Sequence, residues 1–215
     1  MAQEPSPPSP PGSPSPPPPP FSRSADNNKD HILEQLRSCL KAGDAVLEVA
    51  SGTGQHGLHF SQHLPEVTWQ CSDLDLESFA LGTTMAQHKR ANLPAPLVLD
   101  IGAWPPLARA HDAVYSANCI HIIPDALVQP YVEGAASALS PGGLMLLYGP
   151  YKYGGDFTTP SNADFDVFLR NTYAGGGIKD FETLAGHAEA NGLTLVQDIA
   201  MPANNQFLIW RKEAA

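Results

Sequence analysis

Long apolar runs are missing from this chain. Nowhere do about 18 consecutive apolar residues occur, so no membrane-spanning segment is expected. Cysteine is scarce: Cys39, Cys71 and Cys119 lie far apart with no CxxC pair. That pattern excludes a disulfide or zinc framework and fits a reducing compartment, the cytoplasm first. Positive charge is short as well, with 12 Lys and Arg against 22 Asp and Glu and a formal net charge of −10. A surface of that sign does not grip a phosphate backbone, so nucleic acid is not expected as a partner. The N-terminus also lacks the basic flank and apolar core of a secretory signal, and its first basic residue is Arg23.

Proline is what the sequence has in excess. Of 22 prolines, 11 lie between Met1 and Pro20. With no apolar face to bury, residues 1–24 are expected to form a disordered, solvated tail, and 25–215 a single domain. Recognition of the tail by a PxxP-reading partner domain is the sharper reading of the same stretch.

From Asn28 the pattern becomes regular. Ile32, Leu33, Leu36 and Leu40 recur at helical spacing before Gly43. Ala45–Ala50 is a short apolar run that opens into Ser51-Gly-Thr-Gly54. Further strands are expected over Val67–Cys71, Pro96–Leu99, Asp112–Ala117 and Leu144–Tyr148. Between them come helices, one carrying Leu76, Phe79, Ala80 and Thr83, another Val132, Ala135, Ala136 and Leu139. Later helices span Asn162–Asn171, capped by Ser161, and Phe181–Ala190. Leu193–Ala200 and Gln206–Arg211 are separated by too few residues for a parallel crossover, so they must run antiparallel. The expected fold is α/β: a mostly parallel seven-stranded sheet with an antiparallel C-terminal hairpin and helices on both faces.

Gly52-Thr-Gly54-Gln-His-Gly57 fits GxGxxG, follows a strand, opens a helix and has Asp73 nineteen residues beyond Gly54. That is a dinucleotide fingerprint on paper. Glu48, at the end of the strand, argues otherwise. A pyrophosphate would be repelled by a carboxylate so close behind the loop, whereas a ligand carrying an ammonium group would be attracted.

At this point the sequence resembles the class I methyltransferases that use S-adenosylmethionine, over about Asn28 to Lys212. Glu48-Val-Ala-Ser-Gly-Thr-Gly54 matches their glycine motif, Asp73 and Asp100 their acidic residues after the second and third strands, and the last hairpin their antiparallel end. More narrowly, it is similar to the methyltransferase-like protein 26 family. Asn28-Lys29-Asp30, Leu47-Glu-Val-Ala-Ser-Gly52, Tyr148-Gly-Pro-Tyr151, Ser161-Asn162 with Asp164-Phe-Asp166, and Met201-Pro-Ala-Asn-Asn205 carry that likeness. The resemblance implies a Rossmann-like fold, S-adenosylmethionine as cofactor, and methyl transfer to a small-molecule or protein acceptor. It also implies roles. Gly52 and Gly54 let the backbone approach the cofactor, Asp73 accepts the ribose hydroxyls, and Asp100 with Ile101 receives the adenine. Glu48 lies near the ammonium end, and Ala50 and Asn118 complete the cofactor set.

His121, after the fourth strand, is the candidate base; a helix cap or sheet-edge packing is its plainer reading. Tyr151, Asn162, Asp166, Arg170 and Asn204 are candidates for the acceptor pocket, the helical three at spacings of four residues. His56, His59 and His63 share a helical stripe, yet no further ligand completes a metal set, and no metal is expected. Two other functions stay open: a nicotinamide-dependent oxidoreductase, and a noncatalytic cofactor-binding module that recruits partners through its tail.

Overall fold

The computed structural model describes residues 21–214. The proline-rich stretch 1–20, and with it the expectations of disorder and of a PxxP partner, lies outside the described residues. The first helix, α1, spans Arg23–Cys39, and Ser22 caps it by accepting the Ala25 N–H at 3.2 Å. Ser22, Arg23 and Ser24 therefore belong to the helix and its cap, three residues ahead of the expected domain boundary at 25.

β1 (Ala45–Glu48) is buried along its whole length and leads into α2 (Gln55–His63). β2 (Thr68–Asp73) follows, then α3 (Leu81–Gln87) and the two-residue β3 (Leu97–Val98). The third helix starts later than its apolar spacing suggests. Leu76–Ala80 is a turn, and Ala80, at φ 52°, breaks the helical register. β4 (His111–Ala117) leads through a 3-10 turn, Asp125–Leu127, to α4 (Val128–Ala138) and β5 (Leu139–Gly149). A small hairpin, β6 (Lys152–Tyr153) and β7 (Asp156–Phe157), precedes α5 (Pro160–Thr172) and was not expected. Thr159, rather than Ser161, caps α5 through Asn162 N–H. α6 (Phe181–Ala190), β8 (Leu193–Met201) and β9 (Asn205–Lys212) complete the chain.

The seven large-sheet strands lie in the order β3-β2-β1-β4-β5-β9-β8, with β9 antiparallel to both neighbours and the other pairings parallel. Strand side chains alternate between two cores. Leu47, Val114, Met145 and Trp210 pack with α4 and α6, while Val46, Ala113, Leu146 and Ile209 pack with α1, α2 and α3. Hence the helices cover both faces, as expected, and what remains open is the end of the sheet. Among the described residues no helix is long and apolar enough to cross a membrane.

Candidate functional site

In an open α/β sheet the carboxyl ends of the strands form a crevice where the strand order reverses, here between β1 and β4. A cavity of about 890 Å³ occupies that crevice. The volume is at the upper end for small-ligand pockets and leaves room for two molecules side by side.

The half beneath β1 and β2 is built by the glycine loop. Ala50 (φ 58°) and Gly52 (φ 54°) both take left-handed backbone, and a side chain on Gly52 would project into open space. The Asp73 carboxylate holds the loop: Oδ2 accepts the Gly52 N–H at 2.8 Å, and Oδ1 the N–H of Leu74 at 2.8 Å. Each oxygen keeps a lone pair free, and Asp73 lines the cavity with Ala50, Gly52 and Glu48. Gly54 does not line it. A Cβ there would overlap Met85 and Leu81, so this glycine lets α3 pack against the start of α2. Gly57 serves a similar end, because a Cβ would overlap Cys71 Sγ on β2.

Glu48 is the electrostatic centre of this half. Its side chain is buried, and Oε2 accepts Trp69 Nε1–H at 2.8 Å and the Cys71 thiol at 3.4 Å. His56 Nδ1 lies 3.9 Å from Oε1. His56 Nε2 donates to Asn28 Oδ1 at 2.7 Å, which leaves Nδ1 to accept the Tyr115 hydroxyl at 3.2 Å. Burial pushes the His56 pKa down to about 4, so the ring is neutral and supplies no counter-charge. Burial likewise pushes Glu48 up to about 7, against the hydrogen bonds from Trp69 and Cys71 that favour its ionised form. With no lysine or arginine among the described residues that line the cavity, this carboxylate suits a cationic group.

The half beneath β4, β5 and β9 receives α5 and the 3-10 turn Pro202–Asn204. Asn118 (φ 57°) and His121 line it from the loop after β4. The His121 ring meets Phe165 edge-on at 5.6 Å, and burial followed by the Lys179 charge lowers its pKa to about 4. It is therefore a neutral, weakly basic imidazole. Asn162 is buried at the cavity edge, and its Nδ2 donates to Thr158 Oγ1 and to the Asn204 carbonyl. Asn204 (φ 58°) lines the cavity while making the turn, so turn and pocket residue are one.

Besides Gly54, five sequence candidates do not line this cavity. Asp100 is exposed and closes a local turn by accepting the Gly102 N–H, while Ile101 packs on the α4–α6 core. Tyr151 is buried in that same core. Asp166 accepts the Ile178 N–H and pairs with Arg170 at 2.5 Å, pinning the segment after α5. The reason is angular: four helical residues advance 400°, so Asn162, Asp166 and Arg170 rotate 40° per step away from the face that Asn162, Phe165 and Leu169 present. Lys29 pairs with Asp26, and Asn28 sits inside α1.

His56, Phe79, Phe165 and Phe168 were missed as site residues, although all line the cavity, as Asn28 does. Asn28 carried a usable signal, since it shares the apolar stripe of Ile32 and Leu36 at a spacing of four. Among the described residues no group of three or more His, Cys, Asp or Glu is arranged to hold a metal.

Solved structures share this fold. An O-methyltransferase family protein from Burkholderia thailandensis is 20% identical, with a TM-score of 0.68 over 90% of this chain and 60% of that one. An O-methyltransferase family 2 protein from Planctomyces limnophilus, in complex with apigenin, is 20% identical, with a TM-score of 0.70 over 88% of this chain and 60% of that one. Human N-acetylserotonin methyltransferase, in complex with S-adenosylmethionine, is 14% identical, with a TM-score of 0.70 over 89% of this chain and 53% of that one. The chain thus spans little more than half the length of these neighbours, and at such identities the likeness shows the fold, that of the class I methyltransferases. A family model described as "Protein of unknown function (DUF938)" matches residues 19–212. The chain belongs to the DUF938 family.

Proposed function

We propose that the chain binds S-adenosylmethionine beneath β1 and β2 and transfers its methyl group to an acceptor held beneath β4, β5 and β9. The observation that supports this reading best is Glu48, a buried carboxylate with no counter-charge beside a glycine loop that Asp73 holds open. Those residues suit the cofactor: Asp73 has lone pairs for ribose hydroxyls, Gly52 leaves space, and Glu48 faces the ammonium end. When bound, the cofactor supplies a sulfonium methyl; the acceptor heteroatom forms the new bond to carbon as the carbon–sulfur bond breaks, that electron pair going to sulfur. The protein's task is then alignment and exclusion of water. His121 is placed to receive a proton from a hydroxyl or amine whose acidity rises as the new bond forms. The phrases from Asn28-Lys29-Asp30 to Met201-Pro-Ala-Asn-Asn205 support a narrower kinship with the methyltransferase-like protein 26 group. Its three free thiols are in keeping with the cytoplasm.

Calorimetric titration of the full chain with S-adenosylmethionine, S-adenosylhomocysteine and NADH tests the reading. The first two are expected to bind and the third not; binding of NADH alone would replace methyl transfer by hydride transfer. The same assay carries a pH signature. Ionised Glu48 attracts the ligand and protonated Glu48 does not, so affinity should rise with pH. Between about pH 5.5 and 7, where the ligand's own ammonium stays protonated, we expect a gain of about tenfold. Glu48→Gln should flatten that slope, and an equally flat profile in the unmutated chain would remove Glu48 from the site.

A further inference from the structure

We infer that the acceptor half of the cavity takes an uncharged, flat aromatic molecule bearing its nucleophilic heteroatom on the ring edge; this rests on the methyl-transfer reading above. Charge selects first. Among the described residues no lysine or arginine lines the cavity, whereas two carboxylates, Glu48 and Asp73, do. Arg170 and Lys179 belong to ion pairs with Asp166 and Asp125, and Lys29 to one with Asp26. A phosphorylated or carboxylate acceptor would meet no lysine or arginine here to offset its lost hydration.

Shape selects next. α5 offers Phe165 and Phe168 with ring planes 13° apart and centroids 6.0 Å apart, a near-parallel aromatic pair that forms an apolar ledge. Phe168 is 55% exposed and Tyr173 40%, although both line a concave site. Left empty, that ledge is apolar surface facing water; a planar ring laid on it buries both faces at once. His121 meets Phe165 edge-on, so the imidazole sits at the border of the ledge, where the edge of a stacked ring would lie.

Polarity selects last. Both Asn162 amide hydrogens are engaged, by Thr158 and the Asn204 carbonyl, so what Asn162 has left to offer is a carbonyl oxygen. Asn204 gives one hydrogen to Ser161 and keeps its own carbonyl oxygen and a second hydrogen. Neutral acceptors and donors of this kind recognise a hydroxyl or amine on a ring edge and supply no opposite charge to a charged group.

The test uses the full chain saturated with S-adenosylhomocysteine and three probes near pH 7: 2-naphthol, 2-naphthoate and 2-naphthylmethylammonium. Affinities are read by titration and by saturation-transfer NMR. We expect 2-naphthol to bind at least about tenfold more tightly than either charged probe. Phe168→Ala, a change at an exposed position, should weaken 2-naphthol at least about fivefold and leave S-adenosylhomocysteine within about twofold. Equal or tighter binding of the anion or the cation, or 2-naphthol binding that ignores Phe168→Ala, overturns the inference while S-adenosylhomocysteine still binds. Failure of S-adenosylhomocysteine itself to bind overturns the methyl-transfer reading, and this one with it.

Discussion

Asp73→Ala will lower affinity for S-adenosylmethionine by about thirtyfold or more in a calorimetric titration. The carboxylate acts twice. It fixes Gly52 through a 2.8 Å bond from the loop N–H, and it turns its remaining lone pairs to the cavity that Gly52 opens. Alanine removes the ligand contact and also leaves the Gly52 N–H without its partner, so the loop loses the geometry that brings its backbone close. Hydrogen bonds to charged groups are worth about 1.5–3 kcal/mol each; loss of the ligand contact alone, at about 2 kcal/mol, is thirtyfold, and the loosened loop adds to it. Asp73→Asn separates the two parts, since an amide oxygen can still accept from Gly52 while the charge is gone. It should fall between the alanine variant and the parent. Affinity within about threefold of the parent for Asp73→Ala would show that the cavity's ligand lies elsewhere.

The second large effect falls on stability. Gly57→Ala places a methyl group on Cys71 Sγ, which is itself buried and bonded to Glu48. Helix α2 and strand β2 cannot both keep their places. Overpacking of this kind should cost about 2 kcal/mol, seen as a fall in Tm of roughly 6 °C. Cys71→Ala makes the room that the new methyl needs. The double variant should therefore lose less than the two single variants combined, a non-additivity that thermal unfolding reads directly. If the losses simply add, Gly57 and Cys71 are not in the contact that the structure places between them.

Gly57 also explains how the loop reads as a dinucleotide fingerprint. Its close approach to β2 is a demand of helix–strand packing, common to nucleotide folds in general, and carries no information about the ligand. Glu48 carries that information, and it was legible because charge at the end of an otherwise apolar strand is local in sequence. The alternation of strands and helices was legible for the same reason, as was the antiparallel end, which follows from the short Met201–Asn205 connection alone. The acceptor half was legible only at His121, Asn162 and Asn204. Asn162, Phe165 and Leu169 share a face only when the helix is rotated correctly against β5 and the final turn, and that rotation is a tertiary property. Asp100 shows the same limit from the other side. A strand-end position is a good address, but β3 is two residues long and lies at the sheet edge, so Asp100 ends in a solvent-facing turn. His56 was visible only as part of a histidine stripe, whereas its partners, Asn28 and Tyr115, come from 28 and 59 residues away.

The position of β9 ties the cavity to the order of synthesis. This strand lies between β5 and β8, inside the sheet, although it is the last strand in sequence. The turn that precedes it supplies Asn204 and the final wall of the crevice. While the nascent chain is growing, β5 therefore waits with one flank unpaired until the last strand emerges, and no earlier segment can finish the pocket. Messages that stop early would release chains with an exposed β5 edge and an open-sided crevice, which are substrates for aggregation and quality control rather than weakened forms of the folded chain.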